Sequence, residues 1–156
     1  FIQIITNIGG TSADMGNAVF VAAMLELPTM AFFTKMSEKI NCGTLIKFSI
    51  LMFCVKHALT YFATNMIMIY LAQVCQMFAY ALFVPASVYY VNEKIAVADR
   101  VKGQSLVTTS MTLSGVFANF AGGIMLDALG VGHVLLAGVI LSIVGAVIVI
   151  LTTEKV

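Results

Sequence analysis

Two ionisable residues, Glu26 and Lys56, lie within stretches that are otherwise apolar enough to form lipid-soluble helices. A charge inside a bilayer is costly and is seldom kept without a partner or a task. Burial favours the neutral form of a carboxyl group, whereas a nearby ammonium favours its charged form. A carboxyl balanced in this way can take up and release a proton near neutral pH. The alternative is a structural ion pair between two neighbouring helices.

Further polar residues share the predicted depth of these two charges. Gln73, Gln76 and Tyr80 are spaced i, i+3 and i+7, which places them on one face of one helix. Depth counted at ~1.5 Å per residue places polar residues of four successive helices near the middle of a hydrocarbon core ~30 Å thick. They are Glu26, Lys56, Gln73, Gln76 and Asn119. The pattern predicts a solute and ion site, with Asn119 opposite the glutamine face. Amides that only stabilise the bundle are the alternative.

One histidine and two prolines near these polar residues are interpreted as structural rather than functional. His57 adjoins Lys56 but points about 100° away around a helix, which predicts a packed or hydrogen-bonded histidine. Pro28 and Pro85 lie within apolar stretches, where each frees a backbone carbonyl and is expected to bend its helix.

The composition is that of a membrane protein. The chain is 61% hydrophobic and 10% charged, whereas soluble domains have about 25% charged residues. Its net charge of +1 argues against nucleic acid as a partner, since that needs a basic surface. The three cysteines are interpreted as packing residues. We predict no metal site and no cofactor.

The apolar segments predict an all-α membrane protein with five complete spanning helices, each about 20 residues long. The predicted spans are Asn17–Met36, Thr44–Ala63, Met66–Tyr90, Gln104–Leu126 and Gly132–Leu151. Before them, Phe1–Ile8 is apolar and is interpreted as the end of a sixth helix. We expect the chain to be a fragment of a longer one.

The basic residues alternate between the connectors. Seven of the 8 lysines and arginines fall on one side of the predicted bundle, and the eighth is Lys56. The seven are Lys35, Lys39, Lys47, Lys94, Arg100, Lys102 and Lys155. The positive-inside rule makes this side cytoplasmic, together with the C-terminus. Asp14 and Asn65 are then predicted outside.

Several short motifs occur in an order that is familiar from one family. They are E-L-P-x-x-x-F-F at 26–33, the cation at Lys56, Q-x-x-Q-M-F-x-x-A-L-F at 73–83, V-Y-Y-V-N at 88–92, K-G-Q-S-L at 102–106 and G-G-I-M-L-D-A-L-G at 122–130. With these motifs the chain resembles the C-terminal half of a major facilitator superfamily transporter. It is most similar to the branch of the lactose permease and other oligosaccharide–proton and nucleoside–proton symporters.

The resemblance implies a twelve-helix bundle, of which residues 1–156 would form helices seven (in part) to twelve. It implies a plasma-membrane transporter of a small polar solute, of the sugar or nucleoside type. Transport would be coupled to protons and proceed by alternating access between this half and the missing N-terminal half. The bilayer, the solute and protons would be its partners.

The resemblance also implies roles for individual residues, with departures. Glu26 matches a helix-eight carboxylate used in substrate binding or proton coupling, and Lys56 matches a helix-nine arginine. Gln76 and Ala79 stand where the lactose permease has a histidine and a glutamate on helix ten. Either Glu26 carries the proton, or coupling lies in the missing half, or the protein is not a proton symporter.

Two other classes of function are considered. A non-transporting membrane sensor or assembly subunit could use the same bundle. A membrane-embedded protease is disfavoured, because Asp127 lacks an aspartate partner within the membrane and Thr112–Gly115 lacks the first glycine of a G-x-S-G motif. We therefore predict that the chain is not an enzyme.

Overall fold

A computed structural model describes residues 1–154 of the protein. Helices account for nearly all of these residues, and no β-strand occurs among them. The helices are α1 (Ile2–Asn7), α2 (Ser12–Ser37), α3 (Cys42–Tyr61), α4 (Met66–Lys94), α5 (Arg100–Leu129) and α6 (Val131–Thr152), with a 3₁₀ turn at Val97–Asp99. The last five are long and apolar enough to cross a membrane. The predicted all-α membrane fold is confirmed.

Several helices begin earlier or end later than the apolar spans predicted. α2 starts five residues before its predicted span, because a capping box satisfies its first amides. The Asp14 amide donates to the Thr11 hydroxyl (3.3 Å), and the Thr11 amide donates to the Asp14 carboxylate (2.8 Å). Asn65 caps α4 by accepting from the Met68 amide at 3.1 Å. The Thr11 cap lets α2 begin before its apolar span, whereas the Asn65 cap fixes the start of α4 at the predicted Met66.

The two prolines do not end their helices. Pro28 lies inside α2 and Pro85 lies inside α4, and both helices continue for more than two turns beyond them. The predicted bends at these positions stay predictions.

A single residue connects α5 to α6. Gly130 has a φ of 81°, a left-handed conformation that side chains with a Cβ rarely adopt. The chain reverses direction there without a longer loop. The last two helices are therefore joined by a one-residue turn.

The core of the bundle lies around α4, which packs mainly against α3 and α2, while α3 also packs against α6. Its buried cluster consists of Phe33, Cys42, Leu45, Ile46, Leu82 and Ala86. By contrast, α5 packs lightly, and only Gly103 is buried within it. Large side chains such as Phe117 and Phe120 are 65% and 71% exposed. Apolar exposure of this kind suits a helix surrounded by lipid or by further helices.

An ion pair joins two helix ends at the side of the bundle that carries the basic connectors. The Lys94 ammonium, at the end of α4, binds the Glu154 carboxylate beyond α6. This contact lowers the pKa of the Glu154 carboxyl, so the pair persists at neutral pH and weakens in acid as the carboxyl becomes protonated. The ends of α4 and α6 thus lie together, as alternating spans require. The predicted position of Lys155 lies outside the described residues.

The sidedness of the bundle can be tested with single cysteines in a background lacking Cys42, Cys54 and Cys75. We choose exposed positions next to the caps, so that the capping side chains stay intact. An impermeant maleimide applied to intact cells should label cysteines at 13 and 64 and should spare those at 39 and 96, because basic connectors stay inside. Permeabilised cells provide the control for reactivity. Labelling at 39 or 96 in intact cells would reverse the orientation.

Candidate functional site

A cavity of about 450 Å³ lies between α2, α3 and α4, with α1 and α6 contributing apolar wall. We call it the Glu26 cavity. Its polar lining residues are Glu26, Lys56, His57, Thr60, Gln73 and Gln76. Glu26 projects from the middle of α2, so the cavity lies near the midplane of a bilayer that α2 would cross. Four of the six predicted site residues are therefore brought together.

Lys56 binds an amide within this cavity. Its ammonium donates a hydrogen bond to the Gln76 side-chain oxygen on α4. Within residues 1–154, the ion pairs closer than 4.0 Å are Lys94–Glu154 and Lys102–Asp99. Lys56 and Glu26 thus line one cavity without forming the direct salt bridge that the sequence suggested. Because α3 packs closely on α4, the Lys56 ammonium contacts Gln76 of α4 rather than Glu26 of α2.

The glutamine face extends beyond the cavity. Gln73 is 6% exposed and lines the cavity, as does Gln76. Tyr80 is 40% exposed and is not among the lining residues. Seven residues advance a helix by ~10.5 Å, so Tyr80 shares the face of Gln73 but lies past the end of the cavity.

Asn119 lines a different cavity, of about 300 Å³, between α1, α5 and α6. Its side-chain amide donates to the Gly115 carbonyl of its own helix at 2.8 Å. Phe1 and Ile4 of the α1 region line both cavities and stand between them. The structure therefore does not place Asn119 opposite the glutamine face. The α1 region, not α5, lines the Glu26 cavity on that side.

His57 lines the Glu26 cavity and was not among the predicted site residues. Its ring stacks on Phe53, with centroids 6.4 Å apart and planes at 22°, so the predicted packing is present. Its Nδ1 atom, however, is buried without a hydrogen-bond partner within residues 1–154. The cavity is wide enough to contact both Lys56 and His57, although adjacent residues point about 100° apart around α3. The sequence did hold a signal for His57. Thr60 follows it by three residues, so the two share one face of α3, and both line the cavity.

The polar groups of the Glu26 cavity suit a neutral, oxygen-rich molecule. The glutamine amides both donate and accept hydrogen bonds, and the His57 ring adds an imidazole to the lining. The Thr60 hydroxyl donates to the Lys56 carbonyl at 2.8 Å, which leaves its lone pairs free to accept. Glu26 adds a carboxyl group to this lining. Among residues 1–154, no group of three or more histidine, cysteine, aspartate or glutamate side chains could hold a metal ion.

Five spanning helices, four of which line a polar cavity at mid-membrane depth, are typical of a multi-pass membrane transport protein. The sequence profile of the Major Facilitator Superfamily matches residues 1–156. The chain therefore belongs to the major facilitator superfamily, whose members are membrane transporters rather than enzymes. A search of curated proteins and a search of solved structures each found no significant match.

Proposed function

We propose that this chain is the C-terminal half of a secondary active transporter that moves a small sugar-like or nucleoside-like solute together with protons. Its six helices would be helices seven to twelve of a twelve-helix bundle in the plasma membrane, with the C-terminus in the cytoplasm. The single observation that carries the proposal is the grouping of Glu26, Lys56, His57, Gln73 and Gln76 in one midplane cavity. Alternating access of this cavity to the two sides would complete the cycle.

The solute class follows from the lining of the cavity. Sugar and nucleoside hydroxyls donate and accept hydrogen bonds, which matches the paired capacity of Gln73 and Gln76. The volume of about 450 Å³ falls within the ~300–1,000 Å³ range of small-molecule sites. The lining holds one carboxylate and one ammonium. This near balance favours a neutral solute over a strongly charged one.

Proton coupling is assigned to Glu26. It is the one carboxylate among the residues that line the cavity. By its resemblance to the lactose permease branch, the chain would have Gln76 and Ala79 in place of that permease's helix-ten histidine and glutamate. With that carrier absent, Glu26 takes the role. The lysine at 56 replaces an arginine, and it would favour the charged form of Glu26 when the two approach in one state of the cycle.

The proposed function is tested with the full-length protein in proteoliposomes. A pH gradient, alkaline inside, should drive accumulation of a sugar or a nucleoside from a panel of labelled solutes, and a protonophore should abolish it. Absence of flux for every solute in a correctly folded protein would favour the alternative, a membrane sensor or assembly subunit.

The solute-binding role of the glutamine face predicts the effect of Gln73→Leu. This change keeps side-chain size but removes an amide that faces the solute, at a cost of ~1–3 kcal/mol for the group it leaves unpaired. KM should rise roughly tenfold or more. Asn17→Leu, an equivalent change at an exposed position of α2 outside the cavity, should leave KM unchanged. An unaltered KM in Gln73→Leu would remove Gln73 from the binding site.

A further inference from the structure

A third cavity lies between α4 and α5, at the end of the bundle that carries the basic connectors. Its volume is about 480 Å³, and we call it the Arg100 cavity. It is lined by Asn92, Arg100, Val101, Gln104, Ser105, Thr108 and Thr109. None of these residues lines the Glu26 cavity, so the two are separate.

Within residues 1–154, the Arg100 guanidinium in this cavity forms no ion pair. The Nε atom of Arg100 is buried and has no hydrogen-bond partner within residues 1–154. The neighbouring Asp99 carboxylate accepts from the Lys102 ammonium at 2.7 Å instead. No carboxylate is among the lining residues. A partly buried guanidinium with an unsatisfied donor is stabilised by an acceptor, preferably a charged one.

Neutral donors accompany the guanidinium. The Gln104 amide donates to the Val88 carbonyl at 2.9 Å and to the Asn92 side-chain oxygen at 3.5 Å. Because the Asn92 oxygen is occupied, its side-chain nitrogen is the group left to bind a ligand. The hydroxyls of Thr108 and Thr109 make no hydrogen bond to another described residue and supply further donors.

We propose that the Arg100 cavity binds a phosphate group, carried either by a phospholipid or by free phosphate. The planar guanidinium fork matches phosphate oxygens in a bidentate geometry, and the Asn92 side-chain nitrogen can donate to a remaining oxygen. Arg100 is also the first residue of α5, where free backbone amides add positive potential. Thr108 lies two turns deeper, ~12 Å along the helix, beside the acyl chains of a lipid whose phosphate binds Arg100.

The test uses the full-length protein purified in detergent and two soluble lipids that differ only in phosphate. Dioctanoyl phosphatidic acid should bind, and dioctanoylglycerol should not, as measured by native mass spectrometry or calorimetry. Arg100→Gln should weaken phosphatidic acid binding about tenfold or more, since it removes a charge-assisted hydrogen bond. Lys39→Gln removes a basic residue at the same end but outside the cavity, and it should change the Kd less than ~2-fold.

Inorganic phosphate added in competition separates the two sources. Displacement of the lipid at millimolar phosphate would assign the site to free phosphate as well, whereas no displacement would assign it to the headgroup. Equal binding of both lipids, no binding of either, or equal losses in Arg100→Gln and Lys39→Gln would overturn the proposal. If Arg100→Gln fails to fold, Asn92→Asp carries the test, because it keeps an oxygen that accepts from Gln104 but replaces the donor with a carboxylate. It should weaken binding several-fold while leaving the ligand-free melting temperature unchanged, and unaltered binding would count against the site.

Discussion

Glu26→Gln is expected to abolish uphill accumulation of solute while still allowing solute to exchange down its own gradient. Glutamine has the shape of the protonated carboxyl but cannot release a proton, so the variant would mimic one state of the cycle permanently. Accumulation driven by a pH gradient should fall to the level set by the solute gradient alone. Both quantities are measured in proteoliposomes that contain the full-length protein, as pH-driven uptake and as equilibrium exchange.

The matched control for this experiment is Glu38→Gln. Glu38 follows α2 at the end of the bundle that carries the basic connectors and is exposed, away from the Glu26 cavity. This variant should accumulate solute normally. Normal pH-driven accumulation by Glu26→Gln would instead show that the proton travels on another group. Loss of both accumulation and exchange in Glu26→Gln would point to solute binding rather than proton carriage.

Lys56→Met is expected to destabilise the protein by ~3 kcal/mol and to impair transport. The substitution keeps the length of the side chain but leaves the Gln76 oxygen without its donor, and it removes the positive charge that shares the cavity with Glu26. Unsatisfied buried polar groups cost about 1–3 kcal/mol and unpaired buried charges about 3–5 kcal/mol. Stability is measured as the free energy of unfolding in a mild detergent, with Lys47→Met on the same helix as control.

Two double-mutant cycles separate the contributions of the neighbours of Lys56. In the first, Lys56→Met combined with Glu26→Gln should recover part of the lost stability, because both charges are then absent. In the second, Lys56→Met combined with Gln76→Met should also cost less than the sum of its single changes. Coupling of ~0.5–3 kcal/mol is expected for groups that interact. Simple additivity in the first cycle would mean that Glu26 and Lys56 do not sense each other.

The secondary structure and its relation to the membrane could be predicted from the sequence alone. Backbone amides in lipid must be bonded within the helix, so each apolar run of about 20 residues had to become a helix. The boundaries were less predictable. The Thr11 cap starts α2 five residues before its apolar span, where hydropathy gives no signal, whereas α4 begins at Met66 as predicted. Depth along a helix is also a local property. Counting residues therefore placed Glu26, Lys56, Gln73 and Gln76 at one level.

Contacts across helices were decided by the tertiary structure. The partner of Lys56 is Gln76 rather than Glu26, and His57 lies in the cavity while Tyr80 and Asn119 lie outside it. In a soluble bundle, an apolar stripe marks the face of a helix that packs inward. Here, lipid is as apolar as the core, so helices that are apolar on all sides carry no such mark. The sequence determined which residues share a depth, and only the packing of α2, α3 and α4 decided which of them meet.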